Sequence, residues 1–187
     1  MPRMPRRAAD DVLRGYFRAK DGNRPHLLHE VFRDTAALEM RVRAGAIAFP
    51  PLTRGIDGIA DVLVRRFGQS FDNVYSFYLD RPAAGAVLDR FGFRWLVGMT
   101  AKADGAPRVG CGRYDWWFHR ESGLAERLVI TIEAMQVLPI RHADAVLRWV
   151  AGLPYPWCSA RTAAGTAPAL AELQPVLDGI GRGPSLA

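Results

Sequence analysis

The stretch from Arg108 to Glu133, RVGCGRYDWWFHRESGLAERLVITIE, constrains this chain more than any other. Two runs rich in β-branched and aromatic residues flank a Glu-Ser-Gly turn, a pattern that predicts a long antiparallel hairpin. Side chains on a strand alternate between faces. Arg113 and Asp115, two residues apart, therefore share a face, and Glu133 lies on the partner strand. Trp116, Trp117 and Phe118 surround them in sequence. Two carboxylates around one guanidinium can do proton chemistry, because like charges held close push one pKa upward while the arginine holds the pair. The same three residues would also serve as an ion-pair network that keeps two strands in register.

The remaining elements follow from periodicity. Residues 1–8 read as a flexible basic arm. Asp10 or Asp11 can cap a first helix, on which Val12, Leu13, Tyr16 and Phe17 form one apolar face. Asp21, at its end, reads as a local cap or a partner of Arg24. Pro25 suits the first turn of a second helix, with Leu27, Leu28, Val31 and Phe32 buried. His26 and His29 lie three apart there without a third ligand, so they read as a polar face. Ala36 to Val42 is a strand, and 45–51 is a strand or loop ended by two prolines. Gly55 and Asp57 open a third helix carrying Ile59, Val62, Leu63 and Phe67.

Asn73 to Leu79 and Phe91 to Lys102 read as strands, the second with Phe93, Trp95, Val97 and Met99 on one face. Gly110 and Gly112 suggest a bulge or bend in the hairpin, as a sheet needs in order to wrap around a cavity. Beyond Pro139 come a helix with Ala143, Val146, Leu147 and Val150, the proline turn LPYPWC, where a cis bond is allowed, a small-residue linker over 162–166, and a last helix with Leu170, Leu173, Val176, Leu177 and Ile180. Helices first and antiparallel strands last predict an α+β fold. Residues 9–138 form its domain, and 139–187 form a helical extension packed on it.

With 187 residues the chain is of single-domain size. Its formal charge is +6, which raises the question of an acidic partner. The basic residues are scattered, however, with small clusters only at Arg3, Arg6 and Arg7 and at Arg65 and Arg66, so nucleic acid is not an expected partner. Cys111 and Cys158 stand far apart without metal spacing and read as buried thiols in a reducing cytoplasm. No apolar run reaches the roughly 20 residues of a membrane span, and MPRMPRRAADD has no apolar core of a signal peptide. The expected location is cytoplasmic, with no membrane partner. Nucleotide, metal and serine-nucleophile motifs are lacking, so no cofactor and no metal are expected.

The order of elements, with GYFRAKDGNRPHLLHEVFRDTAALEM, the Gly55 helix and the two long terminal strands, resembles the nuclear transport factor 2-like superfamily in its SnoaL-like branch. The resemblance covers about residues 9 to 138. It implies a cone-shaped α+β barrel: a strongly bent antiparallel sheet wrapped around N-terminal helices, enclosing an apolar pocket. It also implies a homodimer and a small apolar or aromatic molecule as ligand. By comparison with ketosteroid isomerase, Tyr16 and Asp115 match the oxyanion-hole donors, while Met40, next to Glu39, occupies the position of the base. By comparison with limonene epoxide hydrolase, Arg113, Asp115 and Glu133 match the Arg-x-Asp and second carboxylate. The catalytic candidates are thus Asp115, Arg113, Glu133 and Tyr16. The candidate pocket wall is Phe32, Met40, Phe67, Tyr75, Trp95 and Trp117. The resemblance implies a pocket protein, with cofactor-free acid/base chemistry if it is an enzyme. The alternative is a non-catalytic dimerisation or partner-binding module that uses the open face of the sheet.

Overall fold

A computed structural model describes residues 5–182. Helix α1 (Ala9–Lys20) carries Asp10 and Asp11 in its first turn and Arg18 and Lys20 in its last, as the helix dipole favours. Neither aspartate caps it. Ala8 holds that place, and Asp10 accepts a hydrogen bond from the Gly85 N–H at 3.3 Å. Within the expected arm, residues 1–4 lie outside the described residues. Arg6 donates to the Leu88 carbonyl at 2.7 Å, and the Arg7 N–H donates to the Ser122 carbonyl at 2.9 Å.

The second helix is shorter than its periodicity suggests. It is a 3-10 turn, Pro25–Glu30, and Phe32 already belongs to strand β1 (Phe32–Val42). The cause is tertiary: Phe32 sits opposite Ala125 in a parallel ladder with β6 (Ala125–Val137), and strand pairing overrides weak local preference. The segment after β1 is a loop as far as β2 (Leu52–Arg54), which pairs back on β1. Then α2 (Ile56–Ala60), a π-helical segment Asp61–Arg65 and α3 (Arg66–Ser70) form one helical run. It is followed by β3 (Phe71–Tyr78), β4 (Arg90–Ala101) and β5 (Pro107–Phe118).

The six strands form one curled sheet in the order β2-β1-β6-β5-β4-β3. The long hairpin is β5 with β6. Its register shifts between Cys111 and Gly112, where Cys111 faces Ala134 and Gly112 faces Ile132, so Glu133 is the extra residue of a bulge.

Two cores lie on opposite faces of this sheet. The concave face meets α1 and the α2–α3 run, burying Tyr16, Phe17, Trp95, Tyr114, Trp116 and their neighbours. The convex face carries Phe77, Leu96, Val109 and Cys111. It packs on the C-terminal helices α4 (Ala143–Ala151), α5 (Ala160–Gly165) and α6 (Gln174–Gly181) through Val146, Trp149, Val150, Val176 and Ile180. Residues 162–166 are mostly helical, not a linker. Ser159 caps α5, its hydroxyl accepting from the Thr162 N–H at 3.0 Å.

Two glycines let these helices come close. A Cβ on Gly98 would stand 2.6 Å from Val150 Cγ1, and one on Gly179 would stand 2.5 Å from Cys111 Sγ. The extension also reaches the β3 edge through its LPYPWC turn, where Tyr155–Pro156 is cis. The Tyr78 N–H donates to the Pro156 carbonyl at 2.8 Å, and the Cys158 N–H donates back to the Tyr78 carbonyl at 3.0 Å. Among the described residues, no helix is long and apolar enough to cross a membrane.

Candidate functional site

The concave side of the cone is lined with aromatic side chains. Tyr16 on α1 meets Tyr114 and Trp116 of β5 edge-on, with ring centroids 5.9 and 5.2 Å apart. Phe17 stacks on Tyr78 at 3.8 Å, and the Tyr78 hydroxyl donates to the Leu13 carbonyl at 2.7 Å. Between these rings and Met40, Leu63, Phe67, Trp95 and Met135 lies a cavity of about 50 Å³. That is room for a water or two, or for the tip of a ligand. Its walls hold no carboxylate, imidazole or thiol; the polar side chains on them are Tyr16, Lys20, Ser76, Trp95 and Tyr114.

Two of those groups are unsatisfied. Among the described residues, the buried Trp95 indole N–H has no hydrogen-bond partner, and the buried Tyr16 hydroxyl makes no well-formed hydrogen bond, with only the Tyr114 side chain interacting with it. The Trp116 indole is also unpartnered, but it packs between Phe32 and Tyr16 outside the cavity wall. Burial pushes the Tyr16 hydroxyl far above the ordinary tyrosine range, through loss of hydration and against a smaller opposing effect of hydrogen bonding with Tyr114, so it stays protonated and can only donate a proton in a hydrogen bond or accept one. Buried polar groups without partners are uncommon and call for an explanation.

Lys20 sits one helical turn after Tyr16 on the same face of α1. Its ammonium is 7% exposed and 3.0 Å from the equally buried Asp21 carboxylate. It donates to Ser76 Oγ at 2.9 Å and lies 4.6 Å from the centre of the Phe67 ring. Asp21 also accepts from the Ser76 N–H and hydroxyl, both at 2.8 Å, and from the Tyr155 hydroxyl at 3.3 Å. Asp21 therefore pairs with Lys20, not Arg24. The network is neutral and closed, and it ties the end of α1 to β3 and to the C-terminal turn.

A surface groove of about 690 Å³ adjoins the cavity, with Ile47, Phe49 and Phe67 lining both. This volume lies in the range of small-molecule sites, whereas that of the inner cavity does not. A second hollow of about 670 Å³, near His29 and His119, shares no residue with the cavity.

The sequence candidates divide between the two faces. Tyr16, Met40, Phe67 and Trp95 line the cavity, and Phe32 lies behind it, stacked on Trp116 at 5.8 Å. Arg113, Asp115 and Glu133 lie on the convex face, because Tyr114, Trp116 and Ile132 take the inward positions. There Arg113 Nε and Nη2 donate to Asp115 at 3.2 Å, and Arg90 stands 3.7 Å from the same carboxylate. Glu133 does not join them. It accepts from Arg94 at 2.8 Å, since the bulge turns it towards β4. A Cβ on Gly92 would run into Arg113 Nη2, so the guanidinium lies across a bare backbone.

Two expected wall residues are also outside the pocket. Tyr75 packs with the convex-face core, and Trp117 is held between Arg90 and Arg127, 4.8 and 4.6 Å from its ring centre. His26 and His29 lie on the 3-10 turn, where His29 Nδ1 is 3.8 Å from Asp34. Among the described residues, no three His, Cys, Asp or Glu side chains gather as a metal site.

A bent six-stranded sheet closing on an N-terminal helix, with an aromatic interior, is the cone of the nuclear transport factor 2-like superfamily, and this chain has that fold. No family model and no curated protein matches the chain. Solved structures do. An NTF2-like protein from Burkholderia thailandensis superposes with a TM-score of 0.53 at 14% identity, covering 74% of this chain and 98% of its own. A type 2 hexachlorocyclohexane dehydrochlorinase reaches 0.54 at 11% identity, over 71% and 87%. A protein with a ketosteroid isomerase-like fold from Catenulispora acidiphila, solved in complex with trimethylamine, reaches 0.50 at 15% identity, over 77% and 94%. At these identities the likeness fixes the fold. The fold hosts unrelated chemistries, so function has to be argued from the site.

Proposed function

We propose that this protein binds a small apolar or aromatic molecule, whose body lies in the groove and whose polar tip enters the inner cavity. There an acceptor atom of the ligand, such as a carbonyl oxygen, takes the hydrogen bond that the Trp95 indole makes to no protein group, and a second from Tyr16, whose hydroxyl meets only Tyr114. The unpartnered Trp95 donor, with Tyr16 beside it in the same cavity wall, carries the reading. The cavity wall favours binding over proton abstraction. A general base must stand within hydrogen-bond reach of its proton, and the base position of the isomerases is occupied here by the thioether of Met40. Asp21, the nearest carboxylate in the chain's inner network, is already committed to Lys20 and Ser76.

The experiment compares two ligands of similar shape, acetophenone with an acceptor and ethylbenzene without one. Binding is followed by calorimetry on the full chain. Tyr16→Phe should weaken acetophenone by about tenfold, the cost of one hydrogen bond to a buried group, and leave ethylbenzene unchanged. Equal losses for both ligands, or none for acetophenone, would overturn the proposal.

A further inference from the structure

We infer that the ligand is an amphipathic organic anion, held by its carboxylate at Arg108 in the mouth of the cone. This rests on the binding reading above and adds the charge of the ligand and the residue that recognises it. The groove wall contains Arg66, Lys102 and Arg108 and no acidic side chain. Arg66 and Lys102 are neutralised from outside the groove by Asp61 at 2.6 Å and Asp72 at 3.5 Å. Arg108 is different. Among the described residues it forms no ion pair, and its Nε is buried without a partner.

Its position is nevertheless fixed. One Nη donates to the Ala46 carbonyl at 3.1 Å, and the guanidinium lies 5.7 Å from the Phe71 ring centre. A half-buried, immobilised guanidinium with free donors and no countercharge is a carboxylate receptor in waiting. Its planar fork matches two oxygens, and it loses little freedom on binding. From Arg108 the groove wall runs over Phe71 to Phe49 and Phe67, which also line the cavity that holds Tyr16 and Trp95. That sequence of surfaces, cation then apolar wall then two neutral donors, is the complement of an ω-oxo or aryl-substituted carboxylic acid.

The test compares 4-phenylbutyrate with 4-phenyl-1-butanol, which has the same body without the charge. The wild-type protein should bind the acid about tenfold or more tightly than the alcohol. The preference should shrink when salt is raised from about 0.05 M to about 1 M. Arg108→Met should abolish it and Arg108→Lys should keep part of it.

Equal binding of acid and alcohol by the wild type, or a preference that survives Arg108→Met, would overturn the inference while the binding proposal stands. If acetophenone binds and neither phenylbutyl compound does, the inference also fails. If no ligand binds at all, acetophenone included, both readings fall together.

Discussion

The two faces of the sheet treat their polar groups in opposite ways. On the convex face every carboxylate the sequence drew attention to is spoken for: Asp115 by Arg113 and Arg90, Glu133 by Arg94, Glu39 by Arg41 and Arg127. On the concave face, among the described residues, the indole donors of Trp95 and Trp116 are buried without a partner, and the Tyr16 hydroxyl meets only Tyr114. Saturated charges hold a structure together, since removing one partner strands the other. Unsatisfied donors cost stability until something fills them. On the function proposed above, the difference puts ligand binding inside the cone and structural clamping outside it.

The largest break in this comparison should come from the seam under the C-terminal helices. Trp149 is 6% exposed and packs in the convex-face core, and its indole N–H donates to the Ala163 carbonyl at 3.1 Å. Trp149→Ala should cost about 3–5 kcal/mol, the usual range for emptying a core of a large aromatic side chain. Urea unfolding reads it as a lower midpoint at constant slope. An unchanged midpoint would mean that the extension is a loose appendage and that the convex face is free to bind another surface.

Much of the architecture was legible from the sequence, and the reasons are physical. The hairpin and the strand at Phe91 to Lys102 are long alternating runs, whose face assignment follows from a period of two. What escaped was set by distant contacts. Phe32 looks helical because the pattern around it is helical, yet a parallel partner ninety residues away makes it a strand. Arg113 and Asp115 do share a face, but alternation alone cannot say which face turns inward. Here Tyr114 and Trp116 have more apolar surface to bury, and they take the interior. Glu133 was separated from the other two by a single bulge, which turned it towards Arg94.

Lys20 could have been found. It continues the buried Tyr16 stripe at i+4, and a charge at the end of an apolar stripe implies a buried partner. Arg108 gave no such sign. Its proposed role depends on meeting no countercharge among the described residues, which no spacing in the sequence reveals.

The comparison sharpens if two substitutions are measured side by side. Arg94 and Glu133 have side chains 14% and 21% exposed and are 2.8 Å apart. Glu133→Ala leaves the arginine without its carboxylate and should cost about 1–3 kcal/mol. Arg94→Met combined with Glu133→Met should recover part of the loss, because neither charge is then stranded. Tyr16→Phe on the concave face removes a hydroxyl that makes no well-formed hydrogen bond, so it should leave the unfolding midpoint within about 0.5 kcal/mol of wild type. A destabilising Tyr16→Phe with a neutral Glu133→Ala would invert the assignment of the two faces.

The smallest effect concerns the exposed rim of the convex face, where Glu39 pairs with Arg127 and Arg41, each at 2.8 Å. Hydrogen bonds from Arg127 first and Arg41 second lower the Glu39 pKa below its ordinary value. The sign follows from linkage. A carboxyl with a lower pKa in the folded state binds fewer protons there than in the unfolded chain. Its contribution is therefore complete above the ordinary glutamate range and is lost as pH falls through the lowered folded value. The side chain is 29% exposed and the arginines are more so, so solvent screens the pair and the effect is slight. Glu39→Gln should flatten the acid limb of a stability-against-pH curve without moving the neutral plateau by more than a few tenths of a kcal/mol, roughly the scale of an exposed ion pair. Raised salt should narrow the difference between the two proteins. If Glu39→Gln instead costs as much as Glu133→Ala, the rim is as well desolvated as the middle of the sheet. Something must then cover it, and a second copy of the chain would be the first candidate to test by sedimentation.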